Sequence, residues 1–523
     1  MNPEMLIGSR RVLGTNGVLR ATNPATGDLL EPAFGLGGDA ESDAAARLAA
    51  AAFPEYSAKS PAERAEFLDE IALRIEGLGD GLLDRAHLET GLPIARLSSE
   101  RARTTTQLRL FATLLRRGLT AGVRIDRALP DRQPAPRPDL RLRLVPLGPV
   151  VVFGSSNFPL AFSNAGGDTA SALAAGCPVI VKVHNAHPGT AMLVAEAVIA
   201  AAVATGMPEG VYSSVLGAGS EIGAALVAHP DIAAVGFTGS RSGGLALVDI
   251  AQHRDVPIPV YAEMSSINPV IVLRSTGLPE LATAFLDSLT LGSGQFCTNP
   301  GLVFVPTGVS GDEFVASVAE GIAARIGATM LTPGICAAFS EGLTRLSSST
   351  AVRTVAVGTE GDGRNALAPA VFETDAPAFA ADHALQDEIF GAAALIVRFD
   401  GEAQLLEALA ALDGQLTASV HADPAQDSQV RKLVPILERL AGRIVYNGWP
   451  TGVEVADAMV HGGPFPSTSD GRSTSVGTLA IERFLRPVSY QGIPDHLLPP
   501  AVAESNPWNQ VRLIDGAIEG LAR

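Results

Sequence analysis

Val150-Val151-Val152-Phe153-Gly154-Ser155-Ser156-Asn157 is the stretch that decides the fold. An apolar run of this length without polar alternation reads as a strand buried on both faces. It then breaks into small polar residues. The same design recurs downstream: Val179-Ile180-Val181 closes in Lys182, Val211 to Leu216 follows, and Ala233 to Phe237 ends in Thr238-Gly239-Ser240. Helical sequence lies between them, up to Ala175-Gly176, over Ala191 to Val203, and from Glu221. Strand–helix repeats of this kind predict an α/β fold with a doubly wound parallel sheet. Ligands in such sheets collect beyond the carboxyl ends of the strands. Ser156-Asn157, Lys182 to His187 and Thr238 to Gly244 all fall there.

Outward from this centre, residues 263–480 repeat the αβ theme, with strands expected at Pro269 to Leu273, Leu302 to Val305, Ala393 to Phe399, Ser419 to His421 and Arg443 to Asn447. Towards the N-terminus, Ala40 to Gly118 is helical in period, and Ser60-Pro61 with Glu63 marks a helix start. The first 40 residues hold a short strand (Val18 to Ala21) and a turn at Asn23 to Gly27. Pro130 to Pro138 reads as a linker. Leu140 to Leu144 alternates strictly and reads as a half-buried strand. A strand-like piece (Phe484 to Tyr490), a Pro-rich turn and a helical tail close the chain.

Composition sets limits on partners and compartment. With 523 residues the chain exceeds what one hydrophobic core holds and implies two or three domains. A net charge of −17 argues against nucleic acid, which needs a basic face. The three cysteines, Cys177, Cys297 and Cys336, are too few for a disulfide framework and suit a reducing cytoplasm. No signal-peptide pattern is expected at the N-terminus, and the most apolar run, interrupted by Glu196, is too short to span a membrane. No metal site is expected.

Chemistry concentrates in a few places. Gly292-Ser293-Gly294-Gln295-Phe296-Cys297-Thr298-Asn299-Pro300-Gly301 sets a cysteine among glycines that allow close approach of a ligand. Gly239 to Gly244 follows a strand and opens a helix, a place for phosphate. Lys182 suits ribose or phosphate, Asn157 an oxyanion, and Glu263 the role of general base. Each has a plainer reading taken singly: a buried structural cysteine, a common glycine turn, a solvated lysine, a helix cap, a surface carboxylate.

Their joint order is another matter. Ser156-Asn157-Phe158-Pro159, Val181-Lys182, Phe237-Thr238-Gly239-Ser240, Glu263, Gly294-Gln295-Phe296-Cys297 and Glu388-Ile389-Phe390-Gly391 together resemble the aldehyde dehydrogenase superfamily along nearly the whole chain. The resemblance implies two doubly wound parallel-sheet domains and a small β oligomerisation arm. Residues 1–135 and 150–262 would bind cofactor, 263–478 would form the catalytic domain, and 136–149 with 479–503 the arm, with 504–523 as a tail. It implies that Cys297 attacks an aldehyde, that Asn157 and the Cys297 N–H hold the oxyanion, and that Glu263 activates the hydrolytic water. It also implies that Lys182, Thr238, Gly239, Ser240, Gly244, Glu388 and Phe390 contact a nicotinamide dinucleotide, and that the protein is a homodimer or homotetramer.

Where the commoner pattern is Lys-Pro-x-Glu, this chain has Lys182-Val183-His184-Asn185. The carboxylate that would repel a 2′-phosphate is replaced by the Asn185 amide. NADP is therefore the expected cofactor, with NAD accepted, and His184 or Arg241 could add positive charge; His187 reads as a surface polar residue. Ser-Asn-Phe-Pro, Glu263-Met264-Ser265-Ser266-Ile267-Asn268-Pro269, Trp449 to Glu454 and His461-Gly462-Gly463-Pro464 look like the branch of bacterial enzymes that oxidise α-ketoglutaric semialdehyde (2,5-dioxovalerate). An NADP-preferring fatty aldehyde dehydrogenase is the alternative, followed by a CoA-acylating enzyme and a non-catalytic relative. Substrate would be met by Arg109 and Gln107 on one helix, and by Phe158, Phe296, Trp449 and Phe465. The plainer reading of Arg109 is a surface ion pair.

Overall fold

The computed structural model describes residues 2–519. Around Val150–Phe153 it builds a seven-stranded sheet in the spatial order Val260–Glu263, Ala234–Thr238, Val150–Phe153, Val179–Lys182, Tyr212–Val215, Met5–Ile7, Arg10–Val12. The first five run parallel, and the two N-terminal strands join antiparallel at one edge. The chain winds outward from Val150–Phe153 in both directions, so the strand order reverses between it and Ala234–Thr238. A crevice opens at such a reversal. Asn157, Lys182 and Ser240 all leave strand ends beside it.

A second seven-stranded sheet runs Arg353–Val357, Ala370–Asp375, Ala393–Phe399, Leu302–Pro306, Pro269–Val272, Gln415–His421, Ala441–Tyr446. Only the Arg353–Val357 pairing is antiparallel. Its central strands are buried up to Pro306, as the apolar, non-alternating sequence of Pro269–Val272 and Leu302–Pro306 requires. The chain passes from the first sheet to the second between Glu263 and Pro269, and Cys297 lies just ahead of Leu302–Pro306.

The alternating strand Leu140–Pro146 pairs antiparallel with Leu485–Gln491, register Leu485↔Pro146 to Gln491↔Leu140. Two expectations fail here. The tail is a β-hairpin, Arg512–Ile514 with Ala517–Glu519, and not a helix. Pro130 to Pro138 is a loop inside this same five-stranded sheet rather than a link between domains, because Val123–Asp126 pairs with both Leu140–Pro146 and Arg512–Ile514. The reason is burial: Val123, Ile125, Leu498, Val502 and Ile514 share one small core. Strand Val123–Asp126 thus shares a sheet with Leu140–Pro146 and Leu485–Gln491, and so does the hairpin of Arg512–Ile514 and Ala517–Glu519. No helix among the described residues is long and apolar enough to cross a membrane.

Candidate active site

The nucleophile loop is shaped before Cys297 is reached. Helix Leu278–Thr290 ends, and Gly292, Ser293 and Gly294 follow at φ 55°, 59° and 68°. Position 294 admits only glycine, since a Cβ there would sit 2.3 Å from the Gly391 carbonyl carbon. Ser293 is not glycine, and its Oγ donates to the Ala328 carbonyl at 2.8 Å, which ties down the turn. Asn268 Nδ2 then donates to the carbonyls of both Cys297 (2.8 Å) and Asn299 (2.9 Å). Asn157 Nδ2 donates to the Gln295 carbonyl at 3.1 Å, which sets the amide two residues from the thiol and leaves its second hydrogen for an oxyanion.

Beside Cys297 stands a residue that the sequence pattern did not place in the site. His461 Nε2 lies 3.3 Å from Cys297 Sγ and 2.9 Å from Glu263 Oε1. The second Glu263 oxygen accepts from Ser475 Oγ at 3.0 Å. Backbone bonds hold the histidine, His461 N donating to Thr474 Oγ1 and Ser475 N to the His461 carbonyl. Thiol, imidazole and carboxylate donor atoms all lie within 4.8 Å of one another. That spacing would admit a metal ion, which would also occupy the nucleophile's lone pair.

Electrostatics in this cluster follow from burial and neighbours. Burial, then the Glu263 charge, push the Cys297 thiol well above its ordinary range. Burial also works to raise Glu263, but His461, Cys297 and Ser475 outweigh it and hold the carboxyl low. The resting state is therefore a thiol beside a carboxylate. A carboxylate only accepts hydrogen bonds, so Nε2 carries the proton toward Glu263. The same N–H sits within reach of the sulfur once the thiol has lost its proton.

The crevice where the strand order reverses holds the remaining polar strand ends. Lys182 is buried, and its Nζ reaches one partner, Asn185 Oδ1 at 3.1 Å. Burial lowers this ammonium to about 8. Ser240 caps helix Arg241–Gln252, its Oγ accepting from Gly243 N. Gly239 N donates to the Glu263 carbonyl, which couples the Thr238–Gly239 turn to the catalytic strand, and Gly244 packs closely against Met264. Glu388 and Phe390 line a small cavity with Gly294 and Phe296, and burial raises the Glu388 carboxyl to about 7. Two histidine expectations change. His187 is fully buried and bonds the Ser155 carbonyl at 2.8 Å, so it is a structural post and not a surface residue. His184 stacks on it, and burial, then His187 and Lys182, drive it far below the ordinary imidazole value, so it supplies no charge at neutral pH.

A cavity of ≈ 230 Å³ leads to the thiol, walled by Arg96, Glu100, Arg103, Phe158, Phe162 and Phe296, with Cys297 and His461 at its floor. Phe158 and Phe296 stand edge to face at 5.4 Å. The other expected substrate contacts lie elsewhere. Arg109 is half-exposed and grips Glu76 with both terminal nitrogens at 2.5 and 2.7 Å. Gln107 is buried among packed helices. Trp449 lies on His421, ring centres 4.5 Å apart, and Phe465 is 62% exposed. The helix Ile94–Arg116 is the expected one, but its cavity face is Arg96, Glu100 and Arg103, spaced at i, i+4 and i+7. Arg109, six residues past Arg103, has turned away.

A thiol on a constrained loop, an amide and a carboxylate beside it and a crevice at the strand ends agree with what comparison with known proteins finds. The pattern of the aldehyde dehydrogenase family matches residues 13–486. The chain belongs to that family. It is 54% identical over 521 residues to alpha-ketoglutaric semialdehyde dehydrogenase 2 of Azospirillum brasilense, covering 99% of each chain. It is 47% identical over 483 residues to alpha-ketoglutaric semialdehyde dehydrogenase of Acinetobacter baylyi, covering 91% of each. In fold it is similar to 1-pyrroline-5-carboxylate dehydrogenase from Thermus with bound NAD, at a TM-score of 0.79 and 23% identity, covering 93% of this chain and 92% of that one.

In this aldehyde dehydrogenase, four residues at the site were given no place in it from sequence: His461, Asn268, Arg96 and Arg103. His461 and Asn268 stood inside motifs that marked the branch, where their order gave no sign of contact. For the arginines the sign was present in the helical period, once the buried face of Ile94–Arg116 is known.

Proposed function

We propose that this enzyme oxidises α-ketoglutaric semialdehyde to 2-oxoglutarate with NADP preferred over NAD. The observation that carries the catalytic part is His461 Nε2 between Cys297 Sγ and Glu263 Oε1. The substrate part rests on the two relatives at 54% and 47% identity.

The thiol proton passes to Glu263, and the His461 N–H swings from carboxylate to sulfur and holds the thiolate. Sulfur attacks the aldehyde carbon, and the oxyanion meets the free Asn157 N–H and the Cys297 backbone N–H. A nicotinamide dinucleotide, when bound, supplies the hydride acceptor that turns this adduct into a thioester on Cys297. Glu263, once it has released the thiol proton to solvent, takes a proton from the water that attacks the thioester, and collapse of the adduct expels the Cys297 thiolate, which that proton returns to the thiol. Its low carboxyl keeps it ionised for that step.

The residues of the crevice fit the dinucleotide. A buried ammonium with one neutral partner is incomplete, and ribose hydroxyls or a phosphate complete it at Lys182. Ser240 at a helix N-terminus suits pyrophosphate, and a Glu388 carboxyl near 7 can donate or accept at a ribose hydroxyl. Preference for NADP follows from Asn185 beside Lys182, where a carboxylate would repel a third phosphate. With His184 neutral, the charge beside Asn185 is that of Lys182, joined by Arg241 at the helix start, and the Lys182 ammonium is lost as pH rises through about 8. The ratio of kcat/KM for NADP to that for NAD is expected to fall several-fold between pH 7 and pH 9. Asn185→Glu is expected to reverse the preference at pH 7.

Reduced-cofactor formation tests the substrate. The semialdehyde is expected to exceed a medium-chain aldehyde by tens-fold in kcat/KM, or ~2 kcal/mol at the transition state. A preference for the medium-chain aldehyde would favour the second reading, a fatty aldehyde dehydrogenase, whose supporting observation is the phenylalanine wall of the cavity. The enzyme is a homo-oligomer: Ala441–Tyr446 is a free sheet edge, and Ile444, Tyr446, Phe465 and Leu479 near it are exposed.

A further inference from the structure

Arg103 faces the cavity with an unusual deficit of partners. Its Nε donates to the Val453 carbonyl at 3.2 Å, but Nη1 and Nη2 are sealed from solvent and bonded to nothing. The guanidinium lies over the Phe162 ring at 5.0 Å. Arg96 differs. Its Nη2 donates to the Asn157 carbonyl at 2.8 Å, and its guanidinium rests over Phe158 and Phe296 at 4.9 and 5.0 Å, so it braces the oxyanion amide. Glu100 is committed as well, Oε1 accepting from Leu160 N and Ala161 N. Its Oε2 stays 3.7 Å from Arg96 Nη2. Glu100, Glu263 and Glu454 lie near enough to act on the Arg103 charge, but none bonds its terminal nitrogens, and the free fork belongs to Arg103.

A buried guanidinium with both terminal nitrogens unpaired is completed by a planar bidentate acceptor, and a carboxylate is that acceptor. We infer that Arg103 is the anion anchor of the substrate site, binding the carboxylate at the far end of an aldehyde whose near end meets Cys297. The inference rests on the reading that the substrate is an aldehyde acid, and it names the residue that recognises the acid. Phe158, Phe162 and Phe296 hold the carbon chain between, and the cavity floor presents the aldehyde to sulfur. Both nitrogens are closed off in the empty site, so a carboxylate pairs with them only as the Arg103 side chain turns toward the cavity, and an uncharged chain offers no partner for that turn. This makes the site select against fatty aldehydes despite its aromatic walls.

Arg103→Met and Arg103→Lys, each assayed with α-ketoglutaric semialdehyde and with pentanal, an uncharged aldehyde of the same chain length, test the assignment. Arg103→Met is expected to lose about a hundredfold in kcat/KM for the semialdehyde, mostly in KM, and to gain several-fold on pentanal, because no unpaired guanidinium then penalises an uncharged chain. Arg103→Lys is expected to recover part of the loss. Equal losses on both aldehydes, or no loss on the semialdehyde, overturn the anchor. The substrate reading fails separately, if the unmodified enzyme favours pentanal. In that event calorimetric binding of 2-oxoglutarate decides the anchor: binding that Arg103→Met abolishes supports it, and equal affinity in both proteins overturns it.

Discussion

Cys297 is inert until something lowers the cost of its charge, because burial and Glu263 both disfavour the thiolate. Among the groups placed here, His461 is the one that can bond the sulfur and the carboxylate in turn. Removing it as His461→Ala leaves Glu263 with Ser475 and takes away the N–H that holds the thiolate. The expected result is a loss of about a hundredfold or more in kcat/KM, the scale on which a positioned proton-transfer group contributes. The pH profile of Cys297 alkylation by iodoacetamide is expected to move to higher pH, since the thiolate loses its donor. His461→Gln restores an N–H near the Nε2 position and is expected to recover part of both effects. An unchanged alkylation profile in the alanine variant would place the histidine outside the activation of the thiol.

Elements bring these side chains together through a few buried polar ties. The turn Thr478–Phe484 closes the second half of the chain onto helix Gly167–Ala175 of the first, by the ion pair Arg483–Asp168 at 2.7 Å. Both side chains are almost completely buried, and the Arg483 guanidinium also lies over the Phe484 ring at 5.0 Å. Breaking a buried pair from one side strands the other charge, so Arg483→Met is expected to destabilise the fold by about 3 kcal/mol or more. The measurement is the denaturant midpoint, and a shift within error of zero would mean that the pair contributes nothing. The same turn leads back from the segment that carries His461 and Ser475. Loosening it is therefore expected to lower activity before the whole chain unfolds.

At the scale of the molecule, the free edge Ala441–Tyr446 and the exposed Ile444, Phe465 and Leu479 predict self-association. Light scattering is expected to give a dimer or tetramer, and Ile444→Lys with Phe465→Asp is expected to shift it to monomer; a monomeric parent protein would refute this. The fold itself was legible because strand and helix periods are local properties. Val150–Phe153, Val179–Lys182 and Ala234–Thr238 announce a covered parallel sheet by their unbroken apolar runs, and the polar residues at their ends announce the ligand side. Cys297, Glu263 and Asn157 were legible for a different reason, since their motifs in that order resemble a known family. Other features could not be read along the chain. The tail becomes a hairpin because a small core around Ile125 needs Ile514. His187 is buried because the Ser155 carbonyl waits for it. Arg109 and Arg103 share a helix, but which faces the cavity depends on what the helix packs against. His461 lies 164 residues from Cys297, and only the folding of its segment with Thr474 and Ser475 against Glu263 sets its ring nitrogen beside the sulfur. Sequence by itself determined the periods and the family, and singled out Cys297, Glu263 and Asn157 as the groups proposed to react. Tertiary structure decided which groups touch, because contact between distant residues depends on how helices and sheets pack, and neighbours along the chain do not encode it.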